Sequence, residues 1–587
     1  MTVESLITQH IDTWTSAVKT KSTSGRGSRK KLDLYGIKKL RELILELAVR
    51  GKLVPQDPND EPASVLLERI AAEKAQLVKE QKIKKSRLLP PLTSQDFPNL
   101  PQGWEWAYFP DIADYAPGKT PATKNTTYWD ETEKGVPWIS IADLNDTRTV
   151  EASSKKVSEV ACEQVFKKNP VRSGTMLMSF KLTVGKVSIL EVDAYHNEAI
   201  ISIFPYTGIQ QNYLFKILPS IANSGNKKNA IMGFTLNSES LAQLIIPVPP
   251  TIEQHRIVTK VDELMILCDQ LEQQTEASIE AHQLLVSTLL NTLTKSSDAD
   301  ELMENWARIS DHFDTLFTTE ASIDQLKQTI LQLAVMGKLV PQDPNDEPAS
   351  VLLEHIAEEK AQLIKDKKIK KQKALSPIAE DEKPFELPNG WEWCRFEDVV
   401  EIHSGITKGR KLSGRELKTI PYLSVANVQR GYLNLQNVKE IDLPIDEIEK
   451  YSVLEGDLLI TEGGDWDKVG RTAIWRSEVP YMAHQNHVFK ARPYLSEQSE
   501  VWLEMYLNGP FARDYFAGSS KQTTNLASIN KTQLRSCFIA VPPNGEKQRI
   551  TSKVQDLIEM CNLLLERIAR CQQTQYHLTD AIVEQAV

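Results

Sequence analysis

Four loops of this sequence are rich in side chains that bind phosphates and read the edges of DNA bases. They are YAPGKTPATKNTT at 115–127, SGNKKNAIMGFTLN at 224–237, SGITKGRKLSGRELK at 404–418 and GSSKQTTNLASIN at 518–530. Lysine and arginine contact phosphates, and amide and hydroxyl groups also form hydrogen bonds with base edges. Any one of these segments could be an ordinary solvated loop. Four such loops in one chain favour DNA binding.

The candidate DNA-binding residues fall into two groups, one in each half of the chain. They are Lys119, Thr120, Lys124, Lys181, Lys186, Lys227, Lys228, Asn229, Thr407, Lys408, Arg410, Lys411, Arg430, Lys468, Lys521, Gln522, Thr523 and Asn525. If these cations contact phosphates, binding should weaken steeply as salt rises.

No catalytic motif in the sequence is complete. An adenine methyltransferase needs Asn or Asp before Pro-Pro-aromatic to hold the flipped base, and VPPT at 248–251 and VPPN at 541–544 lack it. GKT at 118–120 is not a Walker A loop, because Ala113 stands where the first glycine belongs. EEK at 358–360 lies in a predicted helix without a partner carboxylate. The chain is therefore predicted to be non-catalytic.

Composition describes a soluble multidomain protein. The 587 residues, 41% of them hydrophobic and 25% charged, exceed one core and indicate about three to five domains or subdomains. A net charge of -10 argues against unspecific coating of nucleic acid but leaves room for local basic surfaces. The sequence has neither an apolar run near twenty residues nor a signal peptide, so we expect a cytoplasmic protein without membrane contact.

Cysteine usage indicates neither disulfides nor zinc. The six cysteines are scattered and form no CxxC pair. No metal site and no resident cofactor is expected in this chain.

The sequence consists of two tandem units. GKLVPQDPNDEPASVLLE occurs at 51–68 and again at 337–354. LPQGWEWAYF at 100–109 corresponds to LPNGWEWCRF at 387–396, and VPPTIEQHRIVTK corresponds to VPPNGEKQRITSK. Identity at solvent positions does not follow from packing, which constrains only the apolar face. Two explanations stay open: a recent duplication, or two surfaces that meet the same partner.

Between these repeats lie two central segments that barely resemble each other, module 1 at 101–247 and module 2 at 388–540. Short runs of β-branched and aromatic residues, such as VPWISIADL and TIPYLSVANV, alternate with turn residues. Each segment is thus predicted to be an α/β module of about 150 residues that carries two of the four loops.

The repeated segments read as helices. LYGIKKLRELILELAV places apolar residues at helical spacing, and Gly51 stands where this helix should stop. DPNDEP then supplies an N-cap acid and a proline for a second helix that should run to about Lys85.

A long helix with a coiled-coil seam should follow each module. Its seam positions, apolar except at Gln575, alternate in steps of four and three at Ile550, Val554, Leu557, Cys561, Leu564, Ile568, Cys571, Gln575, Leu578 and Ile582, and at Ile257, Val261, Leu264, Cys268 and Leu271. Cys268 and Cys561 hold equivalent positions and should be buried structural thiols. We expect the two helices to pack antiparallel as a rod of roughly 60 Å.

Three basic tracts lie outside the modules. They are KTKSTSGRGSRKK at 19–31, KEQKIKKSR at 79–87 and KDKKIKKQK at 365–373, the last two just before a module. A solvated face and a phosphate-facing role remain equally open for them.

The tandem layout, the GWEW start of each module, the SGITKG opening, the KQTTNLASINKTQL exit and the coiled-coil helices together resemble a known family. The chain is similar over its whole length to the specificity subunits of type I restriction-modification systems, and most similar to subclass IB. The fit departs from the family's Ser-Gly-x-Thr-Pro opening in both modules: Lys408 replaces the proline in SGITK, and PGKTP lacks the serine.

The resemblance implies a non-catalytic subunit whose two modules are target-recognition domains, each reading half of a split, asymmetric site in double-stranded DNA. It implies helices that set the distance between half-sites and dock two modification subunits, which would hold S-adenosylmethionine and methylate adenine, with restriction subunits completing the complex. The residues expected to bind the partner or form the coiled coil are Ile257, Val261, Leu264, Leu271, Ile550, Val554, Leu557 and Leu564.

The predicted fold class is α+β: two α/β target-recognition domains separated by antiparallel coiled-coil helices, with an internal two-fold pseudo-symmetric repeat. The predicted boundaries are a flexible basic arm at 1–33, helical regions at 34–99 and 251–386, recognition domains at 100–250 and 387–543, and a C-terminal coiled-coil helix at 544–587. The alternative is a coiled-coil adaptor that never touches DNA.

Overall fold

The computed structural model of the chain describes residues 3–21, 31–84, 89–92, 99–130, 132, 134–145, 148–181, 183–224, 228–230, 233–297, 299–410, 412–464, 468–523 and 526–587. The chain forms two compact units, with described residues up to 277 and 572–587 in unit 1 and residues 278–571 in unit 2.

The helical scaffold of unit 1 precedes module 1. Its elements are α1 (Val3–Gln9), α2 (Ile11–Ser16), β1 (Lys19–Lys21), β2 (Lys31–Asp33), α3 (Tyr35–Val49) and α4 (Ala63–Lys79). Module 1 follows with β3 (Glu105–Tyr108), α5 (Phe109–Ile112), β4 (Ala113–Pro117), β5 (Val136–Ile139), β6 (Arg148–Val150), β7 (Lys155–Val157), α6 (Glu159–Ala161), β8 (Met176–Ser179), β9 (Val187–Leu190), β10 (Tyr195–His196), β11 (Ile200–Pro205), α7 (Gln211–Ser224), β12 (Lys228–Ala230), β13 (Gly233–Thr235), α8 (Ser238–Ala242) and β14 (Ile245–Val248).

The long helix α9 (Thr251–Lys295) leads from unit 1 into unit 2. The scaffold there is α10 (Ala299–Asp311), α11 (Phe313–Leu316), α12 (Glu320–Val335) and α13 (Ala349–Lys365). Module 2 contains β15 (Glu392–Arg395), α14 (Phe396–Val399), β16 (Val400–His403), β17 (Leu417–Leu423), β18 (Lys439–Pro444), α15 (Ile448–Tyr451), β19 (Leu458–Thr461), β20 (Gly463–Gly464), β21 (Thr472–Ile474), β22 (Ala483–His484), β23 (Val488–Pro493), α16 (Glu500–Asn508), α17 (Pro510–Ser519), β24 (Lys521–Thr523), β25 (Leu526–Ser528), α18 (Lys531–Ser536) and β26 (Phe538–Val541). The second long helix, α19 (Asn544–Ala586), returns to unit 1.

The two modules share one topology although their sequences have diverged. The main sheet has the order β4-β11-β8-β9-β6 in module 1 and β16-β23-β19-β21 in module 2. A small sheet follows the same rule in both: β5 is antiparallel to β7 and parallel to β10, and β17 is antiparallel to β18 and parallel to β22. In each module the first and last strands pair, β3 with β14 and β15 with β26. The predicted α/β modules and the internal repeat are confirmed.

The main sheets differ at one edge. In module 1, β9 pairs with a fifth strand, β6, which forms the edge, whereas the sheet of module 2, as far as its residues are described, ends at β21. There Asn508 accepts a hydrogen bond from Thr472 N at 3.2 Å and donates one to Thr472 O at 2.8 Å. Ile474 N donates to Glu504 Oε1 at 2.9 Å. Side chains of α16 thus satisfy backbone groups that a fifth strand would otherwise pair with.

The identical eighteen-residue stretch forms the same joint in both units. Arg256 in α9 contacts Asp60 at 2.6 Å, and Arg549 in α19 contacts Asp346 at 2.6 Å. Gly51, which ends the helical stretch of α3, has a φ of 66°, and a Cβ on it would lie 2.4 Å from Pro101. The stretch therefore connects the scaffold to both the start of a module and the start of a long helix. These contacts within the chain are a third explanation of why the eighteen residues are identical in the two units.

Two scaffold expectations need correction. The helix predicted to reach about Lys85 ends at Lys79, because Gln81 takes a φ of 58° that closes the helix. The described residues of the predicted flexible arm are folded into α1, α2 and the β1–β2 hairpin, and Trp14 is fully buried. Residues 22–30 of that arm lie outside the described residues, and the domain boundaries stay a prediction.

The seam residues of both long helices are buried within the units. Ile257, Val261 and Leu264 of α9 are buried, as are Ile550 and Val554 of α19. Cys268 and Cys561 are also buried, as expected for structural thiols. In unit 2, Leu290 of α9 and Ile550 of α19 belong to one hydrophobic core.

The opposite halves of these helices both contact α3 in unit 1. Arg41 of α3 pairs with Asp269 of α9 at 2.6 Å, and Tyr35 of α3 donates a hydrogen bond to Asp580 of α19 at 2.6 Å. The first half of α9 therefore shares its surroundings with the last turns of α19. This agrees with the predicted antiparallel arrangement of the two helices.

The prediction that the heptad seam continues to the end of α19 is wrong. Cys571 and Leu578 are exposed, whereas Thr579 and Ile582 are buried. The buried face shifts because Tyr576 packs edge-on against Tyr35, with ring centroids 5.3 Å apart. Packing against α3 replaces the heptad pattern in these turns. Among the described residues, no helix has the length and apolarity needed to cross a membrane.

Candidate nucleic-acid interface

The loops of module 1 that carry candidate residues meet at one edge of the main sheet. β11 runs antiparallel to β4 and β8, with Ile201 opposite Pro117 and Ile200 opposite Ser179. The described residues of 118–125, 180–186 and 196–199 therefore lie at the same end of the strands. Leu236 N donates to Phe180 O at 2.8 Å, which fastens the β12–β13 hairpin to them. We call these three segments and the hairpin the loop edge of module 1.

Module 2 has the equivalent loop edge, formed by the described residues of 404–410, 462–471 and 485–487 and by the β24–β25 hairpin. β23 runs antiparallel to β16 and β19, with Lys490 opposite His403 and Val488 opposite Thr461. β25 pairs with β20 through Ser528 opposite Gly463. Each hairpin thus extends the edge at which the candidate loops meet.

A close backbone contact shapes the first loop of both edges. Lys119 N donates to His196 O, and Ile406 N donates to His484 O, each at 2.9 Å. Glycine precedes both donors, because a Cβ on Gly118 or Gly405 would lie 1.9 Å or 2.3 Å from these carbonyl oxygens.

The two residues that accept these hydrogen bonds are buried histidines, which sequence analysis missed. Burial lowers the pKa of His196 and of His484 to about 4, so both rings are neutral at pH 7. The paired segments AYHNEAI and MAHQNHV precede the corresponding strands β11 and β23 and are the signal that could have revealed them.

The lysines of module 1 differ in how firmly they are held. Lys124 is exposed. Lys119 is also exposed, but its ammonium group donates a hydrogen bond to Val165 O at 3.1 Å. Lys186 donates to Ile141 O at 3.3 Å, and the Lys181 ammonium lies 5.2 Å from the centre of the Phe180 ring. Thr120 donates a hydrogen bond to Glu198.

Arg410 of module 2 is paired with an acid. Its Nη1 lies 2.8 Å from Oε2 of Glu447, which also binds Arg415. These two arginines lower the pKa of the Glu447 carboxyl, so it stays charged. Thr407 and Lys408 on the same loop are exposed, with the Lys408 ammonium 5.0 Å from the centre of the Tyr422 ring. A phosphate that binds Arg410 must therefore compete with Glu447.

Further polar residues gather at the other end of the module 2 loop edge. Gly431 N donates to Thr472 O at 3.0 Å, which holds the turn at 429–432 against the start of β21. Arg430 contacts Asn508 at 3.5 Å, and Arg471 contacts Gln429 at 2.7 Å. Lys468 lies in the loop before β21.

Sequence analysis also missed Glu462 and His487, which contact each other at 2.6 Å on this edge, and the largely exposed Tyr432. Glutamate can accept a hydrogen bond from cytosine N4. No local motif marks these residues, because strands distant in sequence bring them together.

The remaining candidates lie in the two hairpins or outside the described residues. Lys228 and Asn229 belong to β12, and Lys521, Gln522 and Thr523 belong to β24. Lys227, Lys411 and Asn525 lie outside the described residues. The described candidates of each module are thus brought to its loop edge, and their role in DNA binding stays a prediction.

The residues predicted to bind the partner or form the coiled coil lie mainly inside the units. Leu271 is buried like Ile257, Val261, Leu264, Ile550 and Val554, whereas Leu557 and Leu564 are half-buried. In unit 2, Ile550 and Val554 share one core with Ile323 of α12, a scaffold helix of the same chain. Their structural role is therefore packing.

The chemistry of the two loop edges is that of binding. Cations, amides and hydroxyls at these edges can bind phosphates and base edges. Over the described ranges, no group of three or more His, Cys, Asp or Glu residues is placed to hold a metal ion.

Comparison with known proteins identifies both halves of the chain. The profile described as "Type I restriction modification DNA specificity domain" matches residues 101–281 and 388–570. The chain is 42% identical to the EcoAI specificity subunit and 43% identical to the EcoEI specificity subunit, both type I restriction enzymes of Escherichia coli. Each alignment covers 100% of both chains.

Solved structures give weaker matches. The crystal structure of the HsdS subunit from Thermoanaerobacter tengcongensis aligns with 83% of this chain and 97% of its own, at 17% identity and a TM-score of 0.37. A chain from a study of complex assembly and conformational transition of the type I R-M system gives 16% identity and a TM-score of 0.45, with 83% and 98% covered.

Proposed function

Because the chain belongs to the family of type I restriction-modification DNA specificity subunits, we propose that each loop edge reads one half of a split, asymmetric DNA site. The chain is a non-catalytic subunit with two target-recognition domains, and it acts with modification and restriction subunits on DNA. A coiled-coil adaptor that never touches DNA is not favoured.

The proposal that the two half-sites differ is supported by a comparison of the two modules. The modules share the order and direction of their strands, yet their loop edges present different side chains, such as Thr120 beside Glu198 in one and Arg410 beside Glu447 in the other. One architecture with two sets of contact residues is what recognition of two unlike sequences requires.

A module exchange tests this assignment. Residues 101–247 are replaced by the equivalent module of a related subunit, and adenine methylation is sequenced in cells that carry the complex. One half of the methylated sequence should change while the other half stays. The matched control replaces residues 388–540 and should change only the other half. An exchange that alters both halves, or neither, would contradict the assignment.

We further propose that two modification subunits bind, one to each unit. The support is the repeated joint, in which Asp60 and Arg256 of unit 1 have the same contact as Asp346 and Arg549 of unit 2. Native mass spectrometry of the complex at saturating modification subunit measures the ratio. A ratio of one to one would refute this proposal.

S-adenosylmethionine is assigned in the same proposal to the modification subunits, because neither VPPT nor VPPN supplies the Asn or Asp that adenine methyltransferases place before Pro-Pro-aromatic. Equilibrium dialysis with labelled cofactor should detect binding by the complex and none by this chain alone. The proposed place of action is the cytoplasm, where the chromosome is accessible.

A further inference from the structure

A cleft of about 1750 Å³ lies between module 2 and the segment that follows α13. Lys368, Lys370, Lys371 and Lys373 line one side of it. Thr407 and Lys450 of module 2 also line it. We propose that this cleft binds the phosphodiester backbone of double-stranded DNA next to the half-site that module 2 reads. This inference rests on the proposed function and extends the DNA contact beyond the loop edge.

The backbone of the basic segment is fixed to module 2. Arg535 of α18 donates to Lys373 O at 2.8 Å, and Arg395 of β15 donates to Ser376 O at 3.0 Å. Further along, the Phe385 ring packs edge-on against Trp393 with centroids 5.0 Å apart. These contacts use carbonyl groups and an aromatic ring, so they hold the segment without engaging the lysine side chains.

The four lysines carry charge that the described part of the chain does not compensate. Lys368, Lys370, Lys371 and Lys373 are exposed, and none of them forms an ion pair with a described carboxylate. Four of the acids that line the cleft pair with other basic side chains: Glu380 with Lys383, Glu397 with Arg535, Asp398 with Lys360 and Glu401 with His403. Glu386 and Glu392 also line it, but lysine and arginine outnumber aspartate and glutamate in the lining. The unbalanced ammonium groups favour a polyanion.

The cleft is continuous with the loop edge of module 2. Its lining includes Ser404 and Thr407 from the loop after β16, and Asn486 from the segment before β23. A DNA strand that contacts the candidate residue Thr407 can therefore continue along the lysines. Because phosphates repeat along each strand, several ammonium groups in a row can contact successive phosphates.

Two variants of the full chain, each assembled with its modification subunits, test the proposal. K370Q/K371Q removes two charges from the cleft. K553Q/R567Q removes two exposed charges from α19, outside the cleft lining, and is the matched control. Phosphate-ethylation interference is mapped on a duplex carrying the methylated target, and affinity is measured over a range of salt concentrations.

In the parent complex, ethylation of phosphates next to the module 2 half-site should weaken binding. K370Q/K371Q should abolish that interference, leave the module 1 half-site pattern intact and lower the salt slope by up to about two. The control should change neither. An unchanged pattern and slope in K370Q/K371Q would overturn the cleft proposal. The same result is expected if the cleft binds an acidic segment of a partner protein and not DNA. Failure of the proposed function would look different, because the parent complex would then not distinguish its target from a scrambled duplex.

Discussion

The indole nitrogen of Trp391 lies 2.9 Å from Oε2 of Glu546, and both side chains are buried. The contact joins the start of module 2 to the first turn of α19. Trp104 and Glu253 form the same contact at 3.0 Å in unit 1. Burial raises the pKa of both carboxyl groups, and the hydrogen bond from the indole opposes this shift because it favours the charged carboxylate.

The two joints should respond unequally to loss of the indole. Glu253 also accepts a hydrogen bond from Gln56 at 3.2 Å, whereas Oε1 of Glu546 has no partner among the described residues. Trp391→Phe should lower the free energy of unfolding by about 1–3 kcal/mol more than Trp104→Phe, because it leaves a buried carboxylate without a donor. Denaturant unfolding of the two variants measures the difference. Equal losses would show that the additional hydrogen bond from Gln56 to Glu253 does not offset loss of the indole.

Packing of the long helices is tested by two leucines of α9. Leu264 is 3% exposed and Leu284 is 70% exposed. Leu264→Ala should lower the free energy of unfolding by about 2–5 kcal/mol, whereas Leu284→Ala should change it by less than about 0.5 kcal/mol. Chemical denaturation provides the comparison. Equal tolerance would mean that the seam is not a packing surface.

Glu504 should make stability depend on pH. Burial raises its pKa from 4.5 to about 7, so between these values the folded state holds more protons than the unfolded state. The free energy of unfolding should therefore fall as pH rises through this window, by about 2–3 kcal/mol from this group. Glu504→Gln keeps an acceptor for Ile474 N and should remove this component. Thermal midpoints of both proteins between pH 4.5 and 8 would reveal it, and parallel curves would exclude it.

Glu447 should limit unspecific DNA binding. Its single negative charge is shared by Arg410 and Arg415, so Glu447→Gln should tighten binding to a scrambled duplex and steepen the salt slope by about one. Asp446→Asn is the control, because Asp446 is more exposed and contacts Arg415 without an ion pair to Arg410. Fluorescence anisotropy at several salt concentrations measures both. Unchanged or weaker binding by Glu447→Gln would contradict the competition between acid and phosphate.

The long helices should act as a ruler. One heptad added to both α9 and α19 preserves the seam and adds roughly 10 Å to each helix, or about three base pairs of DNA. Three pairs also rotate the second half-site by roughly 100°. The variant should therefore prefer a longer gap or lose tight binding. Methylome sequencing that returns the parental gap at parental efficiency would exclude this role.

Local patterns in the sequence were sufficient for several features. The repeated joint, the helix that ends before Gly51 and the seam from Ile550 to Cys561 follow from short-range spacing, which reports which face of a helix is buried. The loops were recognised from composition, and the strand directions then explain why Lys119 and Lys186 lie at one edge.

Long-range contacts explain what the sequence did not reveal. Arg410 meets Glu447 across 37 positions, so no spacing rule indicates that its charge is compensated. The exposed Cys571 and Leu578 keep the heptad phase, but Tyr35 contacts Tyr576 from the other end of the chain and sets a different buried face. The apolar pattern of a helix predicts which face is buried, but it does not identify the element that packs against that face.

The repeated joint makes the modules interchangeable parts in evolution. Each module begins and ends at the same set of contacts, in which Trp104 meets Glu253 or Trp391 meets Glu546. Genetic recombination within the repeated segments could therefore replace a whole module while leaving every scaffold contact in place. A population that holds a few alleles of each module could combine them into many pairs. Each pair would recognise a different DNA sequence, and the complex would therefore cleave a different set of foreign genomes.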